Sequence, residues 1–100
     1  MSDDREIIRL FIEGRVQGVG YRAFLVREAL ALDLTGWARN RRDGVVESVV
    51  SGPRPALDAL IAAARRGPRL ARVDALREEP ADEAALVAFC GAGFSVAPDA

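Results

Sequence analysis

Between Glu6 and Leu32 the chain changes its periodicity twice, and that switch restricts its fold more than any other feature. From Glu6 to Glu13, Ile8, Leu10 and Ile12 share one face while Ile7, Arg9, Phe11 and Glu13 share the other, the pattern of a largely buried strand. Gly14, Gly18 and Gly20 follow, and a run this rich in glycine predicts that the strand stops before Gly14. Beyond it Tyr21, Leu25, Ala29 and Leu32 recur at helical spacing, so a first helix is predicted from about Tyr21. A strand that feeds a helix through such a loop gathers backbone N–H groups at the helix N-terminus, where the dipole already favours negative charge.

The rest of the chain completes a recognisable order. Thr35 to Arg41 and Val45 to Val50 are β-rich and are separated by Arg42-Asp43-Gly44, whose Asp-Gly pair supplies tight-hairpin chemistry. After a break at Ser51-Gly52-Pro53, Leu57, Leu60, Ile61 and Ala64 mark a second helix that Gly67-Pro68 terminates. Val73 to Glu79 reads as a further strand and Phe94 to Ala97 as a short closing one. Ala81 to Ala92 is rich in Ala without clear amphipathicity and receives no assignment. Strand, helix, strand, strand, helix, strand is the split βαβ order. It predicts a ferredoxin-like α+β sandwich, an antiparallel sheet with two helices on one face, formed by residues 1–100 as a single domain. A chain of 100 residues that is 50% hydrophobic and 29% charged suits that size.

Composition removes several chemistries. The chain has no His and one Cys, Cys90, so His-dependent catalysis, an internal disulfide and an ordinary structural zinc site are excluded. Every one of its 14 basic residues is Arg, which removes Schiff-base and P-loop lysine chemistry. Against 15 acidic residues they leave a net charge of −1, without the basic field of a nucleic-acid binder. The acidic start Met1 to Glu6 lacks the basic and apolar regions of a secretory signal, and the apolar run Ala84 to Phe94 is far shorter than the ~20 residues of a spanning helix. The expectation is a cytoplasmic protein with no membrane segment. The acidic pairs Asp3-Asp4 and Glu78-Glu79 have no clustered ligands beside them, so no metal and no cofactor is expected.

An anion site must therefore be local, and the loop offers one. The amides of Gly14 to Tyr21 can converge on the helix start, and Arg22 in the first helical turn can add a planar guanidinium suited to phosphate oxygens, although spacing alone fits an ordinary Gly-rich connection with Arg22 as a solvated surface residue equally well. The named nucleotide loops do not fit: the Gly-Lys-Ser/Thr of a Walker loop is missing, and Gly18-x-Gly20 lacks the third glycine of a dinucleotide fingerprint.

Gly14-Arg15-Val16-Gln17-Gly18-Val19-Gly20-Tyr21-Arg22, together with Gly36-Trp37-Ala38-Arg39-Asn40 followed by Asp43-Gly44, resembles the two signatures of the acylphosphatase family. The resemblance extends through Val46-Glu47, Gly67-Pro68, Ala71-Arg72-Val73 and Phe94, across the whole chain. It implies a metal-independent hydrolase that splits the carboxyl-phosphate bond of a small-molecule acyl phosphate into a carboxylate and inorganic phosphate; a monomer is expected. It further implies that Arg22 is the phosphate-binding arginine, that the amides of Val16, Gln17, Gly18, Val19, Gly20 and Tyr21 form the phosphate cradle, and that Asn40 holds the attacking water. No activated nucleophile is evident in the loop, which agrees with direct attack by water. An acyl phosphate already carries a stable leaving group, so positioning and charge stabilisation suffice.

Other residues receive structural readings. Trp37 is expected to pack, Tyr21 to bury its ring with its hydroxyl needing a partner, and Cys90 to be a small apolar residue. Arg41-Arg42 and Arg65-Arg66 read as solvated turn and helix-end charges. Tyr21, Ala38 and Asp33 stand where the family usually has Phe, Val and Gly. Asp33 is the substitution expected to strain a left-handed helix end. Two alternatives carry less of the sequence: an RNA-recognition domain, whose aromatic motif falls here on a helix start, and the acylphosphatase-like domain of hydrogenase maturation proteins; a third, a catalytically silent phosphate- or metabolite-binding module on the same fold, is distinguished from the enzyme only by assay.

Overall fold

A computed structural model of the chain describes residues 5–89 and 93–100. The acidic residues before Arg5, Cys90, and the last part of the unassigned stretch Ala81 to Ala92 lie outside the described residues. The elements run β1 (Arg5–Arg15), α1 (Tyr21–Ala31), β2 (Thr35–Asn40), β3 (Val46–Pro53), α2 (Arg54–Arg66), β4 (Arg72–Pro80), α3 (Glu83–Val87) and β5 (Phe94–Val96). They build one five-stranded sheet in the order β4-β1-β3-β2-β5.

The alternation in β1 does what the sequence implies. Ile8, Leu10 and Ile12 are fully buried and join Val46 and Val50 of β3, Leu25 and Ala29 of α1, and Leu57, Leu60 and Ala64 of α2 in the main core. Both long helices therefore cover one face of the sheet, which is the predicted ferredoxin-like sandwich.

Four details differ from the sequence reading. First, β1 does not stop before Gly14 but continues to Arg15, because a bulge between Glu13 and Gly14 absorbs the irregularity in the pairing with β4. Gly14 is required there twice over: its φ is +130°, and a Cβ would lie 2.1 Å from the Arg72 carbonyl oxygen. Second, Ser51-Gly52-Pro53 is not a break. It pairs with β1 through Pro53↔Arg5, and Pro53 then serves as the N-cap residue of α2.

Third, the sheet is not wholly antiparallel. β5 runs parallel to β2, with Gly36↔Phe94, Trp37↔Ser95 and Ala38↔Val96 in register. Fourth, part of the unassigned stretch forms α3, a single turn whose Asp82 side chain accepts a hydrogen bond from the Ala85 amide at 2.9 Å. α3 lies on the sheet face opposite α1 and α2, where Ala85, Leu86 and Phe89 pack on Trp37 and Val49. Trp37 is thus the packing residue expected of it. Its indole N–H donates to Ala85 O at 2.9 Å, and Phe89 meets its ring edge-on at 4.9 Å between centroids.

The remainder of that second face mixes charged side chains with Ile7 and Phe11. Glu47, nearly buried on β3, accepts from both Arg9 and Arg39, and Arg39 stacks over Trp37 and Phe89. Arg41 is not a freely solvated turn charge, since it pairs with Asp43 at 2.9 Å and lies over the Phe11 ring.

Candidate active site

The site is built where β1 leaves the sheet and α1 begins. Val16 is buried and pins the loop to the core, and Gly20 takes the left-handed conformation (φ 78°, ψ 19°) that turns the chain into α1. A Cβ on Gly20 would meet nothing within 4 Å, so the torsion demands glycine here and crowding does not. Gly20 is the N-cap residue and no side chain caps the helix. The first-turn amides of α1 therefore have no side-chain cap, and their residues border the loop's concavity.

That concavity is a pocket of ≈ 230 Å³ lined by Val16, Gly18, Gly20, Tyr21, Arg22, Ala23 and Val96. Gln17 and Val19, which the sequence grouped with the cradle, do not line it. Val19 packs against the main core, and the Gln17 side chain turns away to the β2–β3 hairpin. Tyr21 anchors the helix start from below: its ring is buried and its hydroxyl donates to Ala64 O of α2 at 2.7 Å. Burial pushes the phenol well above its ordinary value of 10.0, so Tyr21 is a neutral structural group.

Arg22 is partly exposed at the pocket, and its Nη1 donates to the Asp99 carboxylate at 3.0 Å. The sequence held no local signal for this partner, which lies 77 residues away. The same C-terminal segment reaches Asn40. The Ala97 amide donates to Ala38 O at 2.8 Å and the Ala100 amide to Asn40 O at 2.9 Å, so the chain beyond β5 follows β2 to its end. Asp99 and Ala100 are adjacent, with Cα atoms about 3.8 Å apart. One holds the Arg22 side chain and the other the Asn40 backbone.

Asn40 itself ends β2, paired with Val46, immediately before the hairpin turn. It does not line the Arg22 pocket. A second depression of ≈ 350 Å³, lined by Arg41, Arg42, Asp43 and Ala100, adjoins it. Among the described residues, the Asn40 Oδ1 is buried without a hydrogen-bond partner in the protein. A buried acceptor in that condition costs free energy unless a donor reaches it, and a water O–H is the smallest donor that does.

With this geometry in place, the comparison with known proteins is decisive: the acylphosphatase family model matches residues 8–94. The chain belongs to the acylphosphatase family. It is 56% identical over 75 residues to an acylphosphatase of Rhodopseudomonas palustris (strain BisB18), covering 75% of this chain and 76% of that protein. Its fold matches the structure of an acylphosphatase from Coxiella burnetii with a TM-score of 0.81 at 31% identity, covering 93% of each chain. Full-length HypF, in a phosphate- and nucleotide-bound form, contains the same fold: the TM-score is 0.83 at 22% identity over 99% of this chain and 13% of that one. At that identity the likeness is one of fold alone. Among the described residues no helix is long and apolar enough to cross a membrane.

Proposed function

We propose that the chain carries out its family's reaction with Arg22 and the loop amides on the phosphoryl group and Asn40 on the attacking water. The protein is an acylphosphatase, a hydrolase of small acyl phosphates. In the proposed arrangement the amides of the Val16–Tyr21 segment that face the pocket, with the Arg22 guanidinium, neutralise the equatorial phosphoryl oxygens. The Asn40 side chain orients a water on the phosphorus, in line with the acyl oxygen. The new bond forms between water oxygen and phosphorus, the phosphorus–acyl oxygen bond breaks, and the carboxylate leaves with the bonding pair. The water proton passes to a phosphoryl oxygen. A carboxylate needs no protonation to leave, so the absence of His from the sequence is no obstacle.

The observation that carries this reading is the Arg22–Asp99 contact, in which the guanidinium at the loop pocket is engaged by an anionic oxygen at 3.0 Å. A phosphoryl oxygen offers the same charge-assisted acceptor in bidentate-capable form. The orphaned Asn40 Oδ1 supports the water-binding role. The reading further takes the protein as a cytoplasmic monomer, to be checked by fractionation and sedimentation.

Hydrolysis of benzoyl phosphate in ¹⁸O-labelled water with EDTA tests the proposed chemistry. Attack at phosphorus puts the label in inorganic phosphate. Label in benzoate places attack on the acyl carbon and overturns the site assignment.

A further inference from the structure

Gln17 sits in the middle of the loop but contributes no surface to the pocket. Its half-buried side chain reaches across to the opposite hairpin, where Nε2 donates to Arg41 O at 2.8 Å and to Val45 O at 3.1 Å. Those two carbonyls flank the turn of the β2–β3 hairpin, one on each arm. Neither depends on Gln17 for satisfaction: Arg41 O already accepts from the Gly44 amide at 3.1 Å and Val45 O from the Arg41 amide at 2.8 Å. The hairpin closes itself with its own backbone bonds, and Gln17 uses only the second lone pair of each carbonyl. What the side chain adds is a cross-link between the phosphate loop and the residue that directly follows Asn40.

We propose that Gln17 is a positioning residue for hydrolysis, a two-donor clamp that sets the distance and angle between the phosphoryl cradle and the water held by Asn40. This rests on the assignment of those two roles above. The amide is well matched to the task. It presents both of its N–H bonds to two acceptors from a position between them, and no ionisable or hydroxyl side chain of similar reach supplies two donors without charge. Because the cradle binds phosphate by its own backbone and Arg22, loosening the clamp is expected to leave phosphate affinity intact and to degrade only the alignment of water and phosphorus. Misplacement by about 1 Å costs up to ~10²-fold in rate.

The test compares wild type, Gln17→Met, Asn40→Ala and the double variant, reading kcat for benzoyl phosphate, the inhibition constant of inorganic phosphate, and the melting temperature. Gln17→Met keeps the length of the side chain and removes both donors. Its kcat is expected to fall about tenfold with the phosphate constant within about twofold of wild type. In the Asn40→Ala background, where water orientation is already lost, the same substitution is expected to cost less than about twofold. Wild-type kcat in Gln17→Met, a phosphate constant that rises in step with the loss of kcat, or a full tenfold loss repeated without Asn40 overturns the proposal. Gln17→Leu gives the same readings if the methionine variant fails to fold, since it also removes both donors and adds no charge beside the phosphate loop. Undiminished turnover in Asn40→Ala itself indicts the water-holding assignment instead, so the two failures are distinguishable.

Discussion

Arg22 and Asp99 meet at 3.0 Å across 77 residues of sequence, and they do so beside the pocket formed by the loop after β1. In the proposed arrangement the carboxylate occupies a guanidinium donor that a phosphoryl oxygen would take. Both side chains are partly exposed, at 32% for Arg22 and 65% for Asp99, so the pair is worth no more than about 1 kcal/mol.

Asp99→Asn removes the competing charge. Inorganic phosphate is expected to inhibit this variant about two- to fivefold more tightly, measured by competition at low ionic strength. Weaker inhibition would mean instead that Asp99 holds Arg22 in its binding orientation.

Asn40→Ala separates catalysis from stability. The substitution removes a buried acceptor that has no protein partner, so it is expected to leave the protein within about 0.5 kcal/mol of wild type or more stable. Its kcat is expected to fall by ~10²-fold, the scale of losing one transition-state contact, with phosphate inhibition unchanged. Urea denaturation and steady-state kinetics on the same preparation check both halves.

Asp33 carries a cost that glycine would remove. It is the non-glycine residue with positive φ among the described residues, at 59°, and it closes α1 in a Schellman arrangement: its amide donates to Leu30 O at 3.1 Å and that of Leu34 to Ala29 O at 2.9 Å. Asp33→Gly is expected to stabilise the protein by about 0.5–1 kcal/mol despite the added freedom of the unfolded chain. Loss of stability on thermal denaturation would contradict that.

Tyr21 makes the stability of the fold depend on alkaline pH. Its phenol is raised by burial above the ordinary 10.0, so the folded state keeps the proton that the unfolded state releases. The stability tied to that proton is complete below pH 10 and declines as pH rises beyond it. Arginine is the only basic residue type besides the termini, so no lysine titration overlays this region. Denaturant unfolding at pH 7 and pH 11 is expected to show a loss in wild type that Tyr21→Phe largely abolishes. Tyr21→Phe is also expected to cost about 1 kcal/mol at pH 7 through the bond to Ala64 O. A tyrosinate absorbance that develops at pH 10 in the folded protein would refute the shift.

The local features of fold and site were legible where one residue's neighbours in sequence decide its state. Ile8, Leu10 and Ile12 alternate because one sheet face is buried, Tyr21 starts a helix because Gly20 turns the chain, and Arg42-Asp43-Gly44 makes its turn from its own atoms. Legibility failed wherever the deciding partner is distant. The continuation of β1 through Gly14 depends on β4 accepting a bulge beside Arg72. The closing strand at Phe94 was legible, but its parallel direction is fixed by pairing with β2, and α3 by the Trp37 and Val49 face it covers. Within the candidate site, glycine spacing and charge made the loop and Arg22 candidates, and the family resemblance singled them out. The turn of Gln17 toward the hairpin and the approach of Asp99 to Arg22 depend on tertiary placement that no periodicity encodes.

In the proposed arrangement Arg22 and the loop around it hold the phosphoryl group for metal-independent hydrolysis. The most direct test is benzoyl phosphate hydrolysis in EDTA by wild type and Arg22→Gln purified in parallel, with inorganic phosphate binding measured on each. Wild type is expected to turn over the substrate, and Arg22→Gln to lose both turnover and phosphate binding. Near-normal turnover in that variant, or a folded wild type that binds phosphate and hydrolyses nothing, would contradict it.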